Sequence, residues 1–233
     1  MDNGSRDGTV AIIEEIRCVV DSSIIPIYLD GNTGTTYSRN LALKRAKGKY
    51  ICVVDSDVVL QKGTLAGLTC ILDREPSAGL VAPRLVYPDG RWQKSTDDFP
   101  TLLTKIQRFF WLKKIEKRNS QEGDIDSFVS VDYAISALWV MRREILEKVG
   151  LLDEKIFYAP EDADYCLRIW LAGYKVLYAP QIWSVHDAQE ISRGIGINKA
   201  ILLHIQGLLY YFWKHRYFLQ RPLRQPSDRQ KVA

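Results

Sequence analysis

The sequence predicts an α/β fold with a mainly parallel, doubly wound sheet, and three observations carry that expectation. Helical and extended patterns alternate from Thr9 to Tyr87. The run Tyr50 to Leu60 is almost continuously apolar and rich in Val, as a strand buried on both faces is. Turn residues such as Gly31, Gly34, Gly48 and Gly63 stand at the joints between segments. In such a sheet, ligands gather outside the C-terminal ends of the strands.

The elements follow in order. A turn-rich loop, Met1 to Thr9, opens the chain with no strand ahead of it, and a helical pattern runs from Val10 to Val20. Ile24 to Leu29 reads as a strand. It leads through Asp30-Gly31-Asn32-Thr33-Gly34 into a helix from Thr35 to Ala46, stopped by Gly48. After the 50–60 strand come a helix from Gly63 to Asp73, a strand from Gly79 to Tyr87 and a turn at Pro88-Asp89-Gly90. Phe99 to Lys117 carries aromatic and basic faces and is expected to be helical, while polar Asn119 to Asp126 is expected to be mobile. Phe128 to Met141 reads as extended chain and Arg142 to Val149 as a short helix ended by Gly150. Pro160 opens a further helix with Glu161, Asp162 and Asp164 in its first turn, where a proline and acids are favoured. Lys175 to His186 is the last strand, broken at Pro180, and a helical run extends from Asn198 to before Pro222.

With 233 residues, 46% of them hydrophobic, the chain can bury one large core, or one domain with an appendage. Its net charge of +4 is unevenly placed. From Lys199 onward there are seven Lys or Arg and one acid, Asp228, so this segment carries +6 and the remainder −2. That excludes a nucleic-acid-binding body and points to a local anionic partner for the tail. Cys18, Cys52, Cys70 and Cys166 are scattered without a CxxC pair, and are expected to be reduced core residues of a cytosolic protein. No leader is expected at the N-terminus, and the apolar stretch Ala200 to Trp213 is shorter than a spanning helix needs.

Within the 50–60 run stand two carboxylates, Asp55 and Asp57. At i and i+2 they share one side of an extended chain. Unpaired charge in apolar surroundings is costly, so a partner is required, and a hard divalent cation holding a phosphate would satisfy both carboxylates.

The motifs form an ordered set: Asp2-Asn3-Gly4-Ser5-Arg6-Asp7-Gly8-Thr9, Ser38-Arg39-Asn40, Asp55-Ser56-Asp57, Glu161-Asp162-Ala163-Asp164-Tyr165, and Ala172-Gly173-Tyr174 leading to His186. In this order they resemble the family 2 glycosyltransferases, especially rhamnosyltransferase-like and galactofuranosyltransferase-like members. The resemblance implies a GT-A (Rossmann-like) fold, with a mixed, mostly parallel sheet flanked by helices. It implies a catalytic domain over residues 1–190, lacking the family's first βα unit, and an aromatic, basic helix and tail over 191–233. The implied activity is inverting, metal-dependent transfer of a sugar from a UDP- or dTDP-linked donor to a glycan or lipid-linked saccharide, in polysaccharide biosynthesis of the cell envelope.

The resemblance also assigns residues. Asp55, Asp57 and His186 would hold Mg²⁺ or Mn²⁺, whose charge offsets that on a departing diphosphate. Asp162 would be the base on the acceptor hydroxyl, with Glu161 orienting it. Asp2, Asn32, Gly34, Arg39, Asp55 and Ser56 would line the nucleotide-sugar site. One departure is Tyr133-Ala134-Ile135-Ser136-Ala137-Leu138, where the family often has Gly-Ala. Ser136 would narrow the acceptor side. His204 and His215 are expected to be ordinary structural residues.

The C-terminal run interleaves Leu208, Leu209, Tyr210, Tyr211, Phe212 and Trp213 with Lys214 and Arg216. Such a pattern suits the headgroup zone of an anionic membrane, and equally suits packing on the catalytic domain or a second subunit. The expected location is the cytoplasm, peripheral at the inner face of the cell membrane. Competing classes are a non-catalytic nucleotide-binding module and a membrane-associated scaffold. A nucleotidyltransferase is disfavoured, because no glycine-rich basic loop precedes the first helix.

Overall fold

The computed structural model describes residues 1–19, 24–101, 128–188, 199–218 and 222. A mixed sheet runs in the order β1 (Tyr50–Val54), β8 (Leu138–Arg142), β3 (Ala78–Val86), β9 (Lys175–His186), β2 (Val58–Leu60). The short strands β4 (Trp92–Gln93) and β6 (Val129–Ser130) pair with β3 and β9, and β5 (Thr96–Asp97) pairs with β7 (Tyr133–Ala134) in a separate ribbon. Among the described residues the helices are α1 (Thr9–Val19), α2 (Thr35–Arg45), α3 (Thr64–Arg74), α4 (Arg143–Val149), α5 (Glu161–Leu171) and α6 (Lys199–His215).

The sheet is mixed, as expected, but it is not mostly parallel. Among the named strands only β3 and β9 run parallel, while β8 pairs antiparallel with both β1 and β3, and β2 with β9. Alternation along the sequence reports the order of strands and helices. It does not report the direction in which strands distant in sequence meet, and β8 enters between β1 and β3 reversed.

The 50–60 run is also not one strand buried on both faces. It breaks at Asp55 into β1 and β2, which stand at opposite ends of the sheet order. Ile51 and Val53 are buried in the core, while Cys52 and Val54 alternate with them as exposed residues, and all four border the cleft described below. The cysteines correct in the same direction: all are free, Cys166 is buried, and Cys18, Cys52 and Cys70 are exposed. The expected strand at 24–29 reduces to a parallel bridge between Asp2 and Tyr28. Pro180 does not end β9; a register irregularity between β3 and β9 absorbs it. Phe99 to Thr101 lie outside any helix, and the rest of the helix expected over 99–117, with the polar 119–126 segment, falls outside the described residues.

The main core joins both sheet and helices: Ile51, Val53, Leu80, Trp139, Met141, Tyr165, Ile169 and Val176 pack together with Tyr211 and Phe212 of α6. Trp139 stacks on Tyr165 at 6.0 Å between ring centroids. Eight of the eleven α5 residues are buried, because this helix lies between the sheet and α6. The inner row of α6 touches α5 closely. Gly207 lies against the Ala159 carbonyl oxygen, so closely that a Cβ would collide with it.

Asp164 of α5 is fully buried and receives Arg168 Nε at 2.9 Å, Lys214 Nζ at 2.6 Å and His215 Nε2 at 2.8 Å. Burial alone would raise its pKa. His215, Arg168 and Lys214 together hold the carboxyl below its ordinary value. Gly207→Ala is expected to cost about 1–3 kcal/mol of stability by forcing α6 away from Ala159. Urea denaturation of the full chain checks this, and an unchanged midpoint would show that α6 does not seat there.

Candidate functional site

The break between β1 and β2 builds a tight turn at the sheet's end. Asp55 N–H donates to Ala137 O at 2.9 Å and Val58 N–H to Asp55 O at 3.1 Å, which closes the turn over Ser56 and Asp57. Asp187 N–H donates to Asp57 O at 2.9 Å, and Val58 lies in register with His186. Asp55, Asp57 and His186 are thereby brought together, each offering one ligand atom, all within 4.8 Å of one another.

His186 is buried, and its Nδ1 lies 2.9 Å from Gln93 Oε1. An amide oxygen only accepts, so Nδ1 carries the hydrogen and the lone pair is on Nε2, which faces Asp57 Oδ1 at 3.4 Å. Two carboxylate oxygens and a tautomer-fixed imidazole fit a divalent cation such as Mn²⁺ or Mg²⁺. Burial raises the Asp55 carboxyl above its ordinary value, with Asp57 adding to the rise and Arg39 and His186 opposing it. A bound cation would relieve that cost.

Arg39 spans the site. Its Nη2 pairs with Asp55 Oδ1, and its Nη1 donates to Ser136 Oγ at 2.6 Å and to Glu161 Oε1 at 3.4 Å. Ser136 Oγ in turn donates to Glu161 Oε1 at 2.9 Å. The residue that departs from the family's usual glycine therefore joins the arginine to the acidic end of α5. Arg39 is aimed by the anchoring of α2. Thr35 N–H donates to Phe157 O at 2.8 Å, Thr36 Oγ1 to Ile156 O at 2.7 Å, and Asn40 bonds both Leu152 N–H and Leu152 O. Gly34 adopts φ 88°, and a side chain there would press on Phe157 O at 2.5 Å.

At the start of α5, Glu161 is buried and Asp162 half-buried, and both line the same cleft as Asp55, Ser56 and His186, a space of about 950 Å³. Asp162 Oδ1 accepts the Ala163 N–H at 2.7 Å, which fixes the carboxylate at the helix entrance. Burial first, and the neighbouring Asp162 charge second, push the Glu161 carboxyl up to about 8, against the pull of Arg39 and Ser136. Glu161 is thus held protonated beside an acid that lines the cleft.

The nucleotide-side expectations fall on two interlaced loops. Asp2 Oδ2 accepts the N–H groups of Gly4 and Ser5, each at 3.1 Å, and the hydrogen bond from the Ser5 side chain holds the carboxyl below its ordinary value. Its side chain is turned into its own loop. Asn3 beside it lines the cleft, donates to Asn32 Oδ1 and Gly34 O at 3.2 Å each, and accepts from Thr33. Asn32 and Gly34 therefore shape the loop that Asn3 staples. Cys52 opens into the same cleft, its thiol pushed up to about 11 by the surrounding protein.

Sequence reasoning did not single out Gln93, named Asn3 only within the opening motif, and expected His204 to be an ordinary structural residue. Gln93 sits in a two-residue strand whose partner His186 is 93 positions away. His204 lies on the inner row of α6 and lines the cleft with Glu161 and Asp162. The helical spacing His204, Gly207, Tyr211, His215 was the available signal, since it groups the histidines with a glycine and a buried aromatic on one face.

Comparison with known proteins shows the family and the fold. A family model described as "Glycosyl transferase family 2" matches residues 1–150. The rhamnosyltransferase WbbL of Escherichia coli K12 is 26% identical over 207 residues, covering 83% of this chain and 76% of that protein. An N-acetylglucosaminyl-diphospho-decaprenol L-rhamnosyltransferase of Mycobacterium tuberculosis is 23% identical over 237 residues, covering 96% and 76%. Among solved structures, the mannosyltransferase PcManGT of Pyrobaculum calidifontis, in complex with GDP-Man and Mn²⁺, superposes with a TM-score of 0.60 at 19% identity. It is covered over 55% of its length by 95% of this chain. Staphylococcus aureus TarS 1-349 superposes at 0.55 and 21%, with 92% of this chain covering 62% of that one. At these identities the likeness concerns the fold, which is GT-A.

Two measurements follow from the geometry. Gln93→Leu removes the acceptor that fixes the His186 tautomer and is expected to weaken Mn²⁺ binding by about 10-fold or more in isothermal titration. Binding lost in His186→Ala but unchanged in Gln93→Leu would refute the role given to Gln93. For Glu161, the folded carboxyl titrates at about 8 against an ordinary 4.5. The folded state keeps a proton that the unfolded chain releases. The stabilisation is complete below the ordinary pKa and is lost as pH rises through about 8. Glu161→Gln is therefore expected to flatten the fall in urea midpoint between about pH 5 and about pH 9. Parallel pH slopes for the two proteins would show Glu161 ionised throughout.

Proposed function

The chain belongs to glycosyl transferase family 2 and is a glycosyltransferase, and from that premise we propose an inverting transfer from a nucleoside-diphosphate sugar to a hydroxyl of a glycan or lipid-linked saccharide. One observation carries the reading: Asp55 at the end of β1 and Asp162 at the start of α5 line a single cleft.

In this mechanism the acceptor oxygen forms a bond to the anomeric carbon while the bond from that carbon to the diphosphate oxygen breaks. The electron pair leaves with the nucleoside diphosphate. Asp162 takes the proton from the acceptor hydroxyl, and no covalent sugar–enzyme intermediate forms. A carboxylate suffices as base because the sugar's transition state is oxocarbenium-like and the proton is lost late. Burial favours the neutral form of Glu161, which leaves the negative charge of the pair to Asp162. Arg39 presents a cation between Asp55 and Glu161, on the side assigned to the diphosphate. Asn3, Asn32 and Gly34 form the loop assigned to the nucleotide, and Asp2 holds that loop's backbone. Asp55, Asp57 and His186 would hold Mg²⁺ or Mn²⁺, which when bound offsets charge on the departing diphosphate.

Titles and names among similar proteins support the donor class. PcManGT was solved with GDP-Man, a GalNAc-T7 structure contains UDP, GalNAc and Mn²⁺, and a TarS structure contains UDP-GlcNAc. The decaprenol-linked rhamnosyltransferase supports a lipid-linked acceptor, and with it a place at the inner face of the cell membrane.

A screen of UDP-, dTDP- and GDP-sugars with Mn²⁺, reading released nucleoside diphosphate, tests the reading. Asp162→Asn is expected to lower turnover by at least about 10²-fold while nucleotide binding persists. Full turnover in that variant would remove Asp162 as the base. Nucleotide binding without turnover of any donor would favour a non-catalytic nucleotide module.

A further inference from the structure

The helix α6 has its apolar residues on two opposite faces. The inner row, with Gly207, Tyr211 and Phe212, packs on the body of the protein. The outer row is Leu202, Ile205, Leu209 and Trp213, which stay 58%, 48%, 64% and 69% exposed. Their spacing of three, four and four residues places them on one continuous helical stripe. Scattered exposed apolar residues are ordinary, but a contiguous stripe on a helix marks a contact surface. Phe218, also exposed, follows beyond the helix's end.

We propose that this outer row is a docking face for an anionic membrane surface, on which α6 lies in the plane of the interface. Charge selects this occupant over a second copy of the chain. The segment from Lys199 onward carries +6. Two such segments brought face to face would repel, whereas an anionic bilayer attracts them. Lys214 is spent internally on Asp153 and Asp164, at 2.7 Å and 2.6 Å, so the attraction rests on the other basic residues of the segment, the exposed Arg216 among them. An aromatic with an adjacent cation suits the headgroup zone. The helix has 17 residues, and among the described residues no helix is long and apolar enough to cross a membrane, so it would lie on the surface and not span it.

The face deepens the reading of the cleft as a site for lipid-linked acceptors and rests on that reading for its purpose. The inner row of the same helix carries His204 into the cleft wall beside Glu161 and Asp162. Docking the outer row would hold the cleft's acceptor side close to the lipid surface.

The test needs no substrate, so its failure is separate from failure of the transfer reaction. The full chain is co-sedimented with vesicles of phosphatidylcholine alone and of phosphatidylcholine mixed with phosphatidylglycerol. The wild type is compared with Leu209→Glu combined with Trp213→Glu, both exposed positions whose unfolding midpoint is measured alongside. The expected result is binding to the mixed vesicles, weakened by salt, and lowered at least about 10-fold in the variant because two apolar side chains no longer enter the interface. Equal binding of wild type and variant would overturn the proposal, as would equal binding to neutral vesicles. A concentration-dependent dimer in size-exclusion chromatography, abolished by the same variant and accompanied by no vesicle binding, would assign the face to a second copy instead.

Discussion

One guanidinium joins the two acidic halves of the cleft. Asp55 and Asp57 arrive from the turn between β1 and β2, and Glu161 and Asp162 from the entrance of α5. Like charges at about 4 Å repel by roughly 4 kcal/mol even at an effective dielectric of about 20. Arg39 lies between the halves and bonds to both, with Ser136 as the relay to Glu161. Protonation of Glu161 removes one more negative charge. The excess that remains lies on the side of Asp55, Asp57 and His186, which is where a cation's ligands converge. The charge arrangement therefore orders the cleft, with a cation-seeking side, a bridging arginine and, at the helix entrance, a glutamic acid that burial pushes towards its neutral form.

That order depends on parts remote from the charges. Arg39 is aimed because α2 is tied to the 152–157 loop through Thr35, Thr36 and Asn40. Asp162 is aimed because α5 is buried on most of its surface and fixed again by Asp164, two residues further on. Asp164 is a fully buried carboxylate with three hydrogen-bond partners, Arg168, Lys214 and His215, on two helices. Deleting one partner of such a group generally costs about 3–5 kcal/mol, because an uncompensated charge stays behind. The docking of α6 is thus coupled to the helix that presents Asp162.

The carboxylates were legible in the sequence for a physical reason. Charge inside an apolar run demands a partner, so Asp55 and Asp57 stand out without any alignment, and acids behind a proline mark a helix entrance at Glu161 and Asp162. What was not legible has reasons as well. An apolar run predicts a strand buried on both faces, and nothing in Cys52 and Val54 discloses that their face is exposed. The alternation of segments does not encode that β8 inserts antiparallel. Ser136 and Glu161 meet Arg39 across 97 and 122 positions, a convergence that only the folded topology produces. Gln93 had no local pattern at all, since its role is defined by His186 across the sheet.

The two sides of the cleft are built from different materials, and this bears on what varies between related enzymes. The metal-ligand side stands on strand ends, where register fixes His186 against Val58 and leaves little freedom. The rest of the lining includes the turn holding Ser136, the loop at Tyr158 and Ala159, and His204 of α6. Turns and loops accept substitution more readily than strand registers do. Variation is therefore expected first in these loops and last in β1, β9 and the start of α5, which carry the residues proposed for the reaction. Because His204 and two of Asp164's three partners, Lys214 and His215, sit on the same helix, a change in how α6 seats would alter both a wall of the cleft and the support of the helix that begins at Glu161.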